Sequence, residues 1–262
     1  MCGRYTHKFT WRELHDLLSL GVFPARLEIP GSSFNVAPTH MVPVLRRCDG
    51  SQAGESGEPG QIEGLLARWG FIPAWWREES PPDHTINARA EGVAASRMFS
   101  AALKGSRCVV PASGFYEWQG KKPPKTPLYI TRADGKPMLF AGLLSLHKGM
   151  PTMAILTTSA SEEIAPIHDR MPVVLEPEEA PAWLDPDSPP ERIQALMDPA
   201  AAGTLVSHAV SPRVNSPRNN APDLIEPARE PEAPPTRRPP TRAAKSKPGR
   251  DDQPGLFSGG AT

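Results

Sequence analysis

Cys2 carries the most reactive combination of groups in the chain. Removal of Met1 alone would leave it with a free α-amine and a thiol on adjacent carbons. An aldehyde condenses with such an amine to a Schiff base, and the thiol then closes a five-membered thiazolidine ring. An α-amine ionises near about 8 and a thiol near about 8.5, so both are partly deprotonated around neutrality. Read alone, Cys2 is equally the second residue of an ordinary start, so its meaning depends on what the rest of the chain supplies.

Four further segments set polar groups inside apolar sequence. In Pro111–Trp118, strand alternation sends Phe115 and Glu117 to one face and Tyr116 and Trp118 to the other. A buried carboxylate among aromatic rings suits proton transfer, whereas the same residue on a surface strand would simply be solvated. His168 lies between Ile167 and Asp169-Arg170 at the entry to a strand, where it reads as a general acid or base, or as a structural histidine held by its neighbour. Asn87-Ala88-Arg89-Ala90-Glu91, followed by Ser96-Arg97-Met98-Phe99, reads as a polar site or as the solvated start of a helix. Trp75-Trp76 occupies a proline-bounded loop. Exposed, the pair could stack on unpaired bases at about 1–3 kcal/mol each; buried, it would be core.

The elements that must hold these residues are mostly short. Thr10 and Glu13 form a capping box for a helix with Trp11, Leu14, Leu17 and Leu18 on its apolar face. Phe34–Pro38 leads into a strand at 42–46, and the Gly/Ser/Glu-rich stretch 49–61 reads as an exposed hairpin loop before a strand at 62–69. A helix is expected to run from Glu91 to about Leu103. Strand signals recur at 108–110, 114–118, 128–131, 138–146, 153–158, 172–175 and 204–210, with a final extended piece near Leu224–Ile225. Prolines at first-turn positions mark short helices at 177–184 and 190–197. Many short strands with few helices predict an α+β fold on a curved, mainly antiparallel, barrel-like sheet, over residues 1–227.

Beyond that point the composition changes. Residues 228–262 hold seven Lys+Arg against four Asp+Glu and almost no apolar side chains before Leu256-Phe257, which predicts a disordered tail. Of 29 Lys+Arg and 29 Asp+Glu in all, 22 and 25 remain for the body, so it is faintly acidic. Nucleic acid would therefore have to be gripped in a local cleft and not by a bulk field. The three cysteines are too few and too scattered for a disulfide framework, and neither a CxxC pair nor an HExxH motif occurs. No cofactor or metal is expected. With no signal peptide or membrane-length apolar run, a cytoplasmic protein is expected, and without coiled-coil heptads, a monomer.

Taken in order, these motifs resemble the SOS response-associated peptidase (SRAP) family. The carriers are Met1–Tyr5, Phe34–Pro38, Trp69-Gly70-Phe71 with Trp75-Trp76, Ile86–Glu91, Ser96–Phe99, Gly114–Trp118, Thr157, Ile167–Arg170 and Val210-Ser211. The resemblance implies a protein that recognises abasic sites in single-stranded DNA and crosslinks to them covalently at a bacterial nucleoid or replication fork. In that scheme the Cys2 amine forms the Schiff base with the C1′ aldehyde of the opened sugar, and its thiol closes the thiazolidine. Glu117 would shuttle protons, His168 would assist ring opening, and Asn87 would hold the N-terminus or the adduct. Arg4, Arg89, Arg97, Thr157 and Arg170 would contact the DNA, the arginines at phosphates. Trp75, Trp76 and Trp118 would meet its bases. The resemblance also implies a peptidase removing Met1, by self-cleavage or through a general methionine aminopeptidase, and lyase-type Schiff-base chemistry.

Other readings of Cys2 stay open on the residues alone. One is a glutamine amidotransferase-like hydrolase, which also begins Met-Cys-Gly but needs glutamine-binding and oxyanion motifs not found here. Another is a non-covalent reader of modified DNA. In the tail, Gln253-x-x-Leu256-Phe257 resembles the peptide by which bacterial replication proteins bind the sliding clamp, an expected short linear motif unless the pattern is a chance recurrence.

Overall fold

The computed structural model describes residues 2–18, 31–48, 60–78 and 81–228. The tail from residue 229, with Gln253, Leu256 and Phe257, lies outside the described residues, as does most of the expected 49–61 loop.

The chain opens with β1 (Tyr5–His7), which fixes where Cys2 must lie. α1 (Trp11–Leu18) follows and starts at the expected capping box: Thr10 Oγ1 accepts the Glu13 amide at 3.2 Å and Glu13 Oε2 accepts the Thr10 amide at 2.6 Å. β2 (Ser33–Val36) pairs with β1, and β3 (Met41–Arg47) forms an antiparallel hairpin with β4 (Ile62–Trp69). Next come β5 (Asn87–Arg89), α2 (Ser100–Gly105), β6 (Arg107–Ala112), β7 (Gly114–Gln119) and β8 (Thr126–Arg132). Two ten-residue strands, β9 (Met138–His147) and β10 (Met150–Ser159), make the longest hairpin. β11 (Arg170–Pro172), β12 (Val174–Leu175), α3 (Ala180–Leu184), α4 (Pro190–Ala195) and β13 (Leu205–Ala209) complete the elements.

Five strands close into a mixed barrel. β4, β3, β6, β9 and β10 pair antiparallel in turn, and β10 returns to β4 in parallel register, Thr152 opposite Arg68. β9 and β10 then part beyond Gly142 and Ile155, and residues 170–175 fill the gap. Val173 bridges both strands, its amide donating to Leu156 O at 2.9 Å and its carbonyl accepting from Ala141 N at 3.0 Å. Only glycine fits at Gly142, because a Cβ there would come within 2.8 Å of Cys108 Sγ. A second, five-stranded sheet of order β13-β8-β7-β1-β2 lies beside the barrel.

Period-two alternation sorts the core. Cys108 and Val110 join one apolar cluster with Cys2, Tyr5, Trp69, Phe115 and Phe140, while Val109 joins another with Leu14, Leu103, Trp183 and Ile193 from the helices. The helices therefore cover one side of the barrel strands and the small sheet covers the other. Each large side chain buried this way contributes about 1.5–3 kcal/mol.

The expected α+β, mainly antiparallel, barrel-like fold is present, with three local corrections. The helix expected from Glu91 to Leu103 is broken into a three-ten turn at Val93–Ala95 and α2. Ser96 adopts extended dihedrals and its Oγ accepts the Met98 amide at 3.2 Å, a local bond that competes with the helix. Asn87–Arg89 is a strand, parallel to β10, and not a helix start. The extended piece near Leu224–Ile225 is a three-ten turn, Pro222–Ile225, packed through Leu224 against Tyr116 and Tyr129.

Candidate functional site

Cys2 lies before β1, where the chain is no longer strand. Its side chain is fully buried with Tyr5, Phe115 and Phe140, and its thiol hydrogen points to Arg4 O, with Sγ 3.8 Å from that oxygen. Burial is the main cause that pushes the thiol well above its usual range, and the negative charge of Glu117 adds to it. The thiol is thus held protonated, and Glu117 is brought within electrostatic reach of it. Glu117 is itself buried on β7, on the same face as Phe115, while Tyr116 and Trp118 turn to the other side, as alternation predicted.

Asn87 reaches Cys2 from β5. The strand exists because β4 ends at Trp69, opposite Met153, and leaves the β10 edge open beyond it. Gly70 turns the chain away at φ 132°, its amide still bonded to Met153 O at 2.9 Å. The chain returns to pair Ile155 with Asn87 and Thr157 with Arg89, and Trp69 Nε1 pins the approach by donating to Ile86 O at 2.9 Å. Asn87 Nδ2 then donates to Cys2 O at 2.8 Å, while its Oδ1 is buried without a hydrogen-bond partner.

The register of β5, β10 and β11 aligns Asn87, Arg89, Thr157 and Arg170 on one face, running from Cys2 outward. Arg89 and Arg97 are exposed, whereas Thr157 is fully buried. Arg170 is engaged within the chain: it grips Glu91 bidentately at 2.8 and 2.9 Å, and its Nη2 donates to Thr157 O at 2.5 Å. Glu91 was quoted in the sequence motif without a role; only the fold reveals it as the partner of Arg170. That pair also draws the Glu91 carboxyl below its ordinary range.

His168 sits just before β11 on a turn whose Ile164 and Ile167 pack into the Cys2 cluster. Gln119, at the end of β7, ties that turn down through Pro166 O at 3.2 Å. His168 Nδ1 lies 3.0 Å from the Arg170 amide and 2.8 Å from Asp169 Oδ1, so both neighbours orient the ring.

Two predicted residues fall on the opposite face. Arg4 donates to Asn35 Oδ1 at 2.8 Å and to Val214 O at 2.9 Å, and Trp118 Nε1 donates to Asn215 Oδ1 at 2.7 Å. Both tie the small sheet to the turn at Pro212–Asn215 and stand apart from Glu117 and Cys2. Asn35 completes this anchor, its Nδ2 donating to three carbonyls, Val214, Ser216 and Asn219.

Trp75 is 54% exposed and tilted against Trp76, ring centroids 5.8 Å apart. Their loop is rigidly held: Thr152 Oγ1 accepts the Ile72 amide at 3.0 Å, and Pro73 O lies 3.0 Å from the Trp76 amide and 3.2 Å from His147 Nδ1. Neither Thr152 nor His147 stands out in the sequence, because they act through backbone groups 80 and 74 residues away. Among the described residues there is no cluster of three or more His, Cys, Asp or Glu able to hold a metal, and no helix long and apolar enough to cross a membrane.

Comparison with known proteins bears on this geometry. The family model described as SOS response associated peptidase (SRAP) matches residues 1–217. The chain is 35% identical to the abasic site processing protein YoaM of Bacillus subtilis over 86% of its own length and 98% of that protein. It is 32% identical to the abasic site processing protein YedK of Escherichia coli, over 87% of this chain and all of that one. A crystal structure of a Bacteroides thetaiotaomicron protein shares the fold, with a TM-score of 0.72 at 23% identity, covering 87% of this chain and 100% of the other.

Proposed function

Because the chain belongs to the SOS response associated peptidase (SRAP) family, we propose that it processes abasic sites in single-stranded DNA by forming a thiazolidine crosslink through Cys2. The observation that carries this reading is Asn87. It holds the Cys2 carbonyl through Nδ2 and keeps a buried, unpartnered Oδ1 beside it. That acceptor suits an N–H of the amine freed when Met1 is removed. With Met1 in place the Cys2 nitrogen is an amide and cannot condense with an aldehyde.

The order of events follows from the thiol. Held protonated by burial and by Glu117, it is not the first nucleophile; the amine is. The amine adds to the C1′ carbonyl, forming a C–N bond, and water leaves to give the imine. The thiol then adds to the imine carbon, forming the C–S bond, and its proton passes to the ring nitrogen. Aldehyde and aminothiol thus become thiazolidine plus one water. Glu117, itself buried, relays these protons, and His168 assists opening of the sugar. Closing the ring removes the imine, which would otherwise progress to lyase-type strand scission.

Arg89, Arg97 and Trp75 are exposed, which supports phosphate contacts by the arginines and base stacking by Trp75. Arg170 and Thr157 join them only if Glu91 yields to DNA. Arg4 and Trp118 serve the DNA indirectly, by holding the small sheet. For removal of Met1, the base for self-cleavage is Glu117; a Glu117→Gln protein should then retain Met1 by mass spectrometry, and loss of Met1 would assign the step to an aminopeptidase. Clamp binding through Gln253, Leu256 and Phe257 rests on sequence alone and requires a 250–262 peptide to bind the clamp at micromolar concentration.

The deciding experiment uses Met1-free protein and single-stranded DNA with one abasic site, run on a denaturing gel. A heat-stable shifted band should form, persist in Cys108→Ala and vanish in Cys2→Ala. Absence of the band in the wild-type protein would sink the crosslinking reading.

A further inference from the structure

The chain has three tyrosines, and their hydroxyls are treated differently. Tyr116 OH donates to Phe34 O at 2.7 Å, and Tyr129 OH pairs with Thr6 Oγ1 at 2.7 Å. Tyr5 is completely buried, yet its hydroxyl has no hydrogen-bond partner. Buried hydroxyls are nearly always satisfied, so an orphan fixed in one place calls for an explanation. Tyr5 cannot swing to find a partner, because its ring is held edge-on by Trp69 at 5.2 Å and by Phe140 at 6.1 Å.

The location of the orphan narrows its use. Tyr5 shares its apolar cluster with Cys2 and Cys108. Burial is the main cause that pushes its ionisation far above the usual range, so it is a neutral donor. Around Cys2, Asn87 Oδ1 is thus an orphan acceptor and Tyr5 OH, in the same apolar cluster as Cys2, an orphan donor. Condensation of an amine with an aldehyde brings the complementary pair: an N–H and an oxygen.

We propose that Tyr5 is a catalytic residue of the crosslinking reaction, its hydroxyl donating a hydrogen bond to the oxygen that leaves C1′ as the Cys2 amine condenses with the abasic-site aldehyde. This rests on the crosslinking reading above. As the C–N bond forms, one amine proton passes to the carbonyl oxygen, giving a hydroxyl. As the C–O bond breaks, the second amine proton, relayed by Glu117, leaves with that oxygen as water. Tyr5 keeps its own proton throughout; it stabilises the negative charge gathering on the oxygen by a fixed hydrogen bond.

Tyr5→Phe and Tyr129→Phe, both freed of Met1, test this against the wild-type protein. Three quantities are measured: the single-turnover crosslinking rate, affinity for single-stranded DNA carrying an unreactive tetrahydrofuran abasic analogue, and Tm. Tyr5→Phe should crosslink about tenfold more slowly, the size of one neutral hydrogen bond made in the transition state. Its affinity for the analogue should equal that of wild type, and its Tm should be equal or higher, since an unmet hydroxyl has gone. Tyr129→Phe, which breaks a satisfied pair, should show the reverse: lower Tm and an unchanged rate per folded molecule. A wild-type rate in Tyr5→Phe overturns the proposal, as does a slower rate that merely follows a lower Tm or weaker analogue binding. If the wild-type protein itself forms no crosslink, the crosslinking reading fails and Tyr5's role with it; a crosslinking wild type beside an equally fast Tyr5→Phe removes Tyr5 alone.

Discussion

Along the first seven residues, neighbouring side chains meet opposite fates. Arg4 and Thr6 turn to one side of the small sheet, where their polar atoms are paired with Asn35, Val214 and Tyr129. Tyr116 and Trp118 of β7 join them there and find Phe34 O and Asn215 Oδ1. On the other side lie Cys2 and Tyr5, with Asn87 reaching in from β5. There Tyr5 OH and Asn87 Oδ1 are both buried without hydrogen-bond partners. An unmet buried polar group costs about 1–3 kcal/mol, so the two represent stability given up. The first side holds the protein together, and the second keeps bonding capacity unused, which the proposed reaction would draw on. Substitutions should separate the two: those on the paired side should lower stability, and those on the reserved side should lower rate.

The sharpest test of the reserved side is Glu117→Gln. In protein freed of Met1 it keeps the shape and removes the proposed proton relay, so crosslinking should slow by about 10²–10³-fold in a single-turnover gel assay. A slowing of less than tenfold would move proton transfer to another group.

His7, packed against Phe9 of the other core cluster, adds a test through pH. Its ring lies 3% exposed against Phe9, and burial lowers its pKa from 6.5 to about 4. Above pH 6.5 the ring is neutral in both folded and unfolded chains and contributes no pH dependence. As pH falls from 6.5 towards 4 the unfolded chain takes up the proton first, so stability declines, by about 3 kcal/mol once both states are protonated. Urea titrations of His7→Phe between pH 7 and pH 4 should show a shallower loss than wild type. Parallel losses would assign the acid sensitivity elsewhere.

On the paired side, Asn35→Ala removes an acceptor for Arg4 and a donor to three carbonyls. It should cost about 2–3 kcal/mol in denaturant unfolding, with the crosslinking rate per folded molecule preserved. A rate loss at full folding would break the division between the two sides. The smallest effect belongs to Trp75→Ala, outside both. Fluorescence anisotropy should show single-stranded DNA binding weakened by about 1–2 kcal/mol, and Tm should stay put because the ring is 54% exposed.

Much of the site was legible because its signals are local. The Thr10–Glu13 capping box, the bounds of β4 and the split of Glu117 from Trp118 each depend on residues a few positions apart. The expected helix from Glu91 failed on equally local grounds, since Ser96 bonds the Met98 amide and leaves helical dihedrals. The motif sets Arg4 and Trp118 among the DNA contacts, while the bonds that tie them to Asn35 and Asn215 join segments far apart in sequence and leave no local signal.

By itself, then, the sequence determined the chemical inventory, the class of fold and the family, because residue types, alternation and capping are written within short windows. Tertiary structure decided which groups meet. Nothing near Asn87 states that it will lie beside Ile155 in parallel register and thereby reach Cys2, nor that Glu91 will take the fork of Arg170. Nor does anything near Tyr5 state that its hydroxyl will be left without a partner. Those outcomes depend on strand pairing between segments some 70 to 110 residues apart, where β4 ends and which edge it leaves open. A polar atom is satisfied or orphaned only when the whole barrel has closed around it.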